Sequence, residues 1–273
     1  MAAANSNPAF TNSAAFTLNA SKAAQLSRPV STPLSDEELD TMYGRPSASP
    51  DAAGRMTYED TIVKVAVTFG ILLATAVVGW AFPILALPAA LVGLVLALVN
   101  TFKKSPSRAL ILIYAAVEGL FVGGISAIFE NIYPGVVLQA TLATASVIAV
   151  TLALFANGKI RASARATQVF MIAIIGYGVF SLINLVLMWT GATDLAFGLR
   201  SAEIIPGVKL GVILGILVIF LAAYSLVLDF TSVKTGVERG APRVYGWQAA
   251  FGIMVTVVWL YVEILRLLSI LRD

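Results

Sequence analysis

The chain has 273 residues, of which 59% are hydrophobic and only 12% charged, with a net charge of +3. Soluble domains run at about 45–50% apolar and about 25% charged, so the composition excludes a water-soluble globule. Cysteine and histidine are both absent, which excludes disulfides, thiolate chemistry and the commonest general base and metal ligand.

Residues 1–35 are rich in Ala, Ser, Asn, Thr and Pro, and residues 36–60 turn acidic with scattered Pro and Gly. No basic stretch leads into a continuous apolar core, so a secretory signal peptide is not expected. Too little apolar surface is present to offset the entropy of ordering, which predicts a disordered polar tail over 1–60. Within it, Leu34–Met42 carries the Ser35 cap and early acids of a short helix. A solvated acidic patch is the plainer reading of the same residues.

From residue 61 onward, seven apolar runs of membrane-spanning length follow, at 62–82, 84–101, 109–130, 135–156, 168–190, 210–230 and 247–271. The predicted fold is therefore all-α: a polytopic membrane domain over 61–273 with seven transmembrane helices and the lipid bilayer as its solvent. Only Pro83 divides the first two runs, so a tight helical hairpin is expected, and Asn157-Gly158 marks a turn after the fourth. Gly119 and Gly123, and Gly207, Gly211 and Gly215, recur at four-residue spacing, which lets helix backbones approach closely in a bundle.

Basic residues concentrate in alternate loops: Lys103, Lys104 and Arg108; Lys159, Arg161 and Arg165; Lys234, Arg239 and Arg243. This is a topology signature rather than a nucleic-acid surface, and it predicts a cytosolic tail with an external carboxyl terminus.

Three carboxylates lie inside the apolar runs. A charge at membrane depth is costly unless paired, protonated or facing water, so each is a candidate functional residue. Asp229, in AYSLVLDF, sits toward the carboxyl end of the sixth run, where the helix dipole disfavours a negative charge. Lys103 and Lys104 lie on the same side of the membrane and are candidate counter-ions. Glu263, in WLYVEILRLL, is three residues before Arg266, so a helical ion pair competes with a functional role. Glu118 is the deepest, roughly 13 Å into the third run at about 1.5 Å per residue. Glu130 closes that run in the solvated interface. An acidic ladder of Glu118, Asp229 and Glu263 is one expectation, and a simple Glu263–Arg266 pair is the other. Catalysis is not expected: a serine nucleophile lacks a histidine base, the carboxylates have no metal-ligand spacing, and no phosphate-binding glycine loop occurs.

The seven-span layout, VEGLFVGGISAIFENIYPG in the third run, AYSLVLDF in the sixth and the terminal EILRLLSIL together resemble the Bax inhibitor-1 family. The resemblance covers roughly residues 60–273 and looks closest to a bacterial branch with a long polar amino-terminal extension. It implies six helices around a central seventh and a pH-dependent calcium leak, in the bacterial plasma membrane and without a cofactor. It also implies two aspartates sharing a proton-sensitive contact, with a basic partner after the second helix. Asp229 matches the first aspartate, and Lys103 or Lys104 approximates the basic partner. Counting back from Arg266, the second aspartate falls on Thr256, with Glu263 two helical turns further along the same face. The resemblance leaves two function classes: a cation leak carrying calcium or coupled to protons, and a non-conducting regulator of other membrane proteins such as a membrane-anchored protease.

Overall fold

The computed structural model describes residues 54–193 and 195–273; residues 1–53 of the expected tail, Leu34–Met42 among them, lie outside the described residues, whereas 58–60, expected to be disordered, are the first turn of a helix. Seven helices are long and apolar enough to cross a membrane. They are α1 (Tyr58–Ala81), α2 (Ala86–Phe102), α3 (Arg108–Ile132), α4 (Val136–Ala156), α5 (Ala164–Trp189), α6 (Leu210–Glu238) and α7 (Tyr245–Arg272).

The helix ends follow from local chemistry. The Thr57 hydroxyl accepts from the Asp60 N–H at 3.2 Å, and Glu59 and Asp60 complement the dipole. Helix α1 therefore starts four residues before the apolar run does. At its other end Pro83 opens a single 3-10 turn, Pro83–Leu85, that leads straight into α2. Pro88 costs little, because it lies in the first turn of α2, where backbone N–H groups have no helical acceptor. Gly135 enters α4 with φ +82°, a conformation open to glycine at no steric cost. The Glu130 carboxylate accepts from the N–H groups of Gly135 and Val137 at 2.6 and 3.0 Å. Glu130 thus caps α4, a more specific role than the solvated one expected.

Helix α7 is the most deeply buried span and packs against α6, α1, α4 and α3. It is the centre of the bundle, while α2 packs chiefly on α3 and α5 rests on α6 and the turn before it. Small residues set the closest approach. A Cβ at Gly123 would run into the Ala76 backbone, and one at Gly119 into Thr75 and the Leu72 carbonyl, so α3 lies backbone to backbone on α1. Gly215 instead makes room for the Leu267 side chain of α7. Gly207 does not share this role. It sits at φ +82° between β1 (Glu203–Ile205) and β2 (Val208–Lys209), an antiparallel ribbon that the apolar pattern did not announce. Outward, Ile62, Leu73, Val77, Leu87, Ile172 and Leu185 are each more than half exposed, a surface that only acyl chains can solvate.

The two ends of the domain lie on opposite faces. The Met56 N–H donates to the Ala241 carbonyl at 2.7 Å, setting the start of α1 beside the α6–α7 turn. Lys209 instead pairs with Asp273 at 3.3 Å, and Arg272 donates to the Pro134 carbonyl at 2.8 Å. Below, the first is called the tail face and the second the far face.

Candidate functional site

Helices α6 and α7 bring Asp229 and Thr256 together. The Thr256 hydroxyl donates to Asp229 Oδ2 at 2.7 Å, and the Ser225 hydroxyl lies 3.3 Å from Thr256 Oγ1. Thr256 is buried and Asp229 half-buried. A cavity of about 470 Å³ leads in from the tail face. Its wall runs along α6 from Gly236 through Ser232 to Asp229, and along α7 from Tyr245 through Gln248 to Gly252. Asp229 therefore stands at the inner end. A Cβ at Gly252 would lie 3.4 Å from Asp229 Oδ1, so the α7 backbone passes close beside that oxygen. No ion pair reaches Asp229 among the described residues.

Glu263 is buried at 5% exposure near the far face. Both its oxygens accept from Arg266 at 2.9 Å, and Oε1 also accepts from the Tyr177 hydroxyl at 2.6 Å and the Trp259 indole at 3.3 Å. The expected i,i+3 pair forms, but inside the protein rather than in the headgroup region. Glu118, half-buried on α3, lies beside the Tyr114 hydroxyl and faces α2, where a Cβ at Gly93 would stand 3.0 Å from Glu118 Oε2. The three carboxylates thus have separate surroundings, and the structure does not join them into a ladder. Lys103 and Lys104 are both exposed and pair with no acid among the described residues. Helix α2 stops at Phe102, and Lys103 leaves it with extended backbone, so both lysines project beyond the end of the bundle.

Between the two polar regions the α6–α7 seam is closed. Ala222 and Leu226 of α6 and Leu260 of α7 are fully buried in one apolar cluster with Ile264 and Leu265.

A family model described as Bax inhibitor 1 like matches residues 7–273. The chain belongs to the Bax inhibitor 1 like family. The search of curated proteins gave no match. The match takes in most of the polar tail, which the resemblance, starting near residue 60, did not reach.

For a Bax inhibitor 1 like chain, the arrangement around Asp229 has a definite reading. Where the resemblance places a second aspartate, Thr256 supplies a hydroxyl donor in hydrogen-bond contact with the first. In place of the proton-sharing carboxylate pair that the resemblance implies, this chain has a carboxylate held by an alcohol, which cannot itself change charge.

Sequence reasoning missed Lys64, Tyr177, Ser181, Asn184 and the inward position of Arg200. Lys64 is 7% exposed, pairs with Asp60 and donates to the Arg243 carbonyl at 2.6 Å. Arg243 in turn donates to Asp60 Oδ1 at 2.7 Å, tying α1 to the α6–α7 turn. The available signal for the others was polar spacing: Tyr177, Ser181 and Asn184 fall at i, i+4 and i+7 on one face of an apolar helix.

Proposed function

We propose that this protein is a pH-sensitive leak for cations, calcium first among them, in which Asp229 meets both the cation and the proton. The observation that carries the reading is the Asp229 carboxylate at the inner end of the tail-face cavity, with a hydroxyl partner and no ion pair among the described residues. Asn100, Thr101, Ser232 and Gln248 line the same cavity and offer the oxygen chemistry that calcium takes. No three acidic side chains gather into a ligand set among the described residues. A calcium ion wants about 6–8 oxygens, so most would be water here, and the site favours passage over retention. Protonating Asp229 removes the charge that draws the cation, which is how acid would regulate the leak.

The closed α6–α7 seam means that conduction requires Leu226 and Leu260 to separate. That seam favours a second reading, a non-conducting regulator that binds other membrane proteins such as a membrane-anchored protease. Under either reading the basic loops favour a cytosolic tail face and an external Asp273, in a bacterial plasma membrane. Calcium efflux from liposomes carrying the purified protein, measured at several pH values, separates the two. The leak reading expects flux above that of empty liposomes and a clear pH dependence. Flux equal to that of empty liposomes at every pH would leave the regulator.

A further inference from the structure

The far face holds its own polar cavity, about 500 Å³, between α5, the Phe197–Arg200 segment and the outer part of α7. Arg200 and Arg266 both line it, with Ser181 and Asn184, and among the described residues Glu263 is the one acid in the wall. Two guanidiniums face one carboxylate, and that carboxylate is taken by Arg266 through both oxygens.

Among the described residues Arg200 hydrogen-bonds only to neutral partners, and Glu263 reaches it through the shared Tyr177 hydroxyl. Arg200 is only 8% exposed, and one terminal nitrogen donates to the Tyr177 hydroxyl at 3.0 Å and the Ser181 hydroxyl at 2.7 Å. The rings of Tyr177 and Phe180 lie over its guanidinium at 5.4 and 5.6 Å. No ion pair to Arg200 exists among the described residues. A guanidinium offers five N–H donors in a planar fork, and those bonds occupy one nitrogen. Among the described residues no buried side-chain nitrogen or oxygen is without a partner, so the remaining donors of Arg200 open onto accessible space, and Arg200 lines this cavity. A buried, uncompensated charge is strongly unfavourable.

The segment is held to present it. The Asn184 amide donates to the Phe197 carbonyl at 3.2 Å, and its oxygen accepts from the Leu199 N–H at 2.7 Å. Gly198, at φ +59°, makes room for the Asn184 side chain. The loop is therefore folded back on α5 with its arginine turned inward.

We infer that this far-face cavity binds a phosphate-bearing anion through Arg200 and Arg266. Planar forks match phosphate oxygens two at a time, and the anion supplies a direct ion pair that Arg200 does not have among the described residues. Two sources share this chemistry: free phosphate, and the headgroup of an anionic phospholipid. Leu185 and Met188 line the same cavity from the most lipid-exposed helix, which gives acyl chains a bed beside the arginines.

The test uses the full chain in nanodiscs, in two arms. One replaces phosphatidylcholine with phosphatidylglycerol and measures retained lipid by native mass spectrometry. The other adds inorganic phosphate to phosphatidylcholine nanodiscs and follows its phosphorus resonance. Saturable binding in the first arm alone assigns a lipid headgroup, and binding in the second assigns a soluble anion. In either case Arg200→Gln should weaken binding about tenfold or more, the weight of a charge-assisted hydrogen bond. Arg161→Gln, exposed in a tail-face loop, should leave it unchanged. No saturable binding in either arm, or equal affinity in Arg200→Gln and the unaltered protein, overturns the site. Should Arg200→Gln not fold, Leu185→Trp narrows the cavity from its exposed side. The same loss is then expected, and unchanged affinity overturns the inference.

Discussion

The tail-face and far-face cavities share helix α7 and have opposite electrostatics. The first ends at one carboxylate, Asp229, whose partner is a hydroxyl. The second gathers two arginines around Glu263, which is saturated by Arg266, Tyr177 and Trp259. Both acids are carboxylates inside a spanning helix, so residue type and depth do not separate them. What separates them is the neighbour: an arginine one turn away converts Glu263 into a fixed counter-charge, while Asp229 is hydrogen-bonded by Thr256 and has no ion pair among the described residues. The apolar seam of Leu226 and Leu260 keeps the two regions apart.

That contrast breaks most sharply at Glu263. Glu263→Leu strands Arg266 in the far cavity and is expected to destabilise the fold by about 3–5 kcal/mol, the usual cost of removing one partner of a buried pair. Denaturant unfolding in detergent micelles measures it. Adding Arg266→Leu should recover part of the loss, whereas simple additivity of the two changes would show that the pair is not coupled. Next in size is the seam. Leu260→Ala removes a fully buried side chain and should cost about 2–4 kcal/mol. If the seam is the barrier to ions, calcium flux should also rise; a destabilised protein with unaltered flux would put the barrier elsewhere. Thr256→Val deletes the donor to Asp229 at nearly constant volume and should cost about 1–2 kcal/mol. Its pH–flux profile should move, whereas Thr256→Ser should keep the unaltered profile.

The seven helices were legible because twenty-residue apolar runs have few other solutions in a chain so poor in charge. Their ends were less so. Helix α1 gains a turn from the Thr57 cap and the Asp60–Lys64–Arg243 cluster, whose arginine lies about 180 residues further along the chain. Opposition of Asp229 and Thr256 was readable from the resemblance and the residue count back from Arg266. The lysine partner was not, since the point where α2 stops depends on backbone geometry after Phe102. Least legible was Arg200: a loop arginine reads as solvated, and only the Asn184 bonds to Phe197 and Leu199 turn it inward.

The smallest structural change carries the sharpest functional test. Asp229→Asn preserves an oxygen for the Thr256 hydroxyl and should leave stability within about 1 kcal/mol of the unaltered protein, yet it removes the charge at the inner end of the tail-face cavity. Calcium efflux from liposomes, recorded from alkaline to acid pH for both proteins, addresses the central claim directly. The account predicts pH-dependent flux in the unaltered protein and a lower, flat profile in Asp229→Asn. Identical profiles for the two would contradict it.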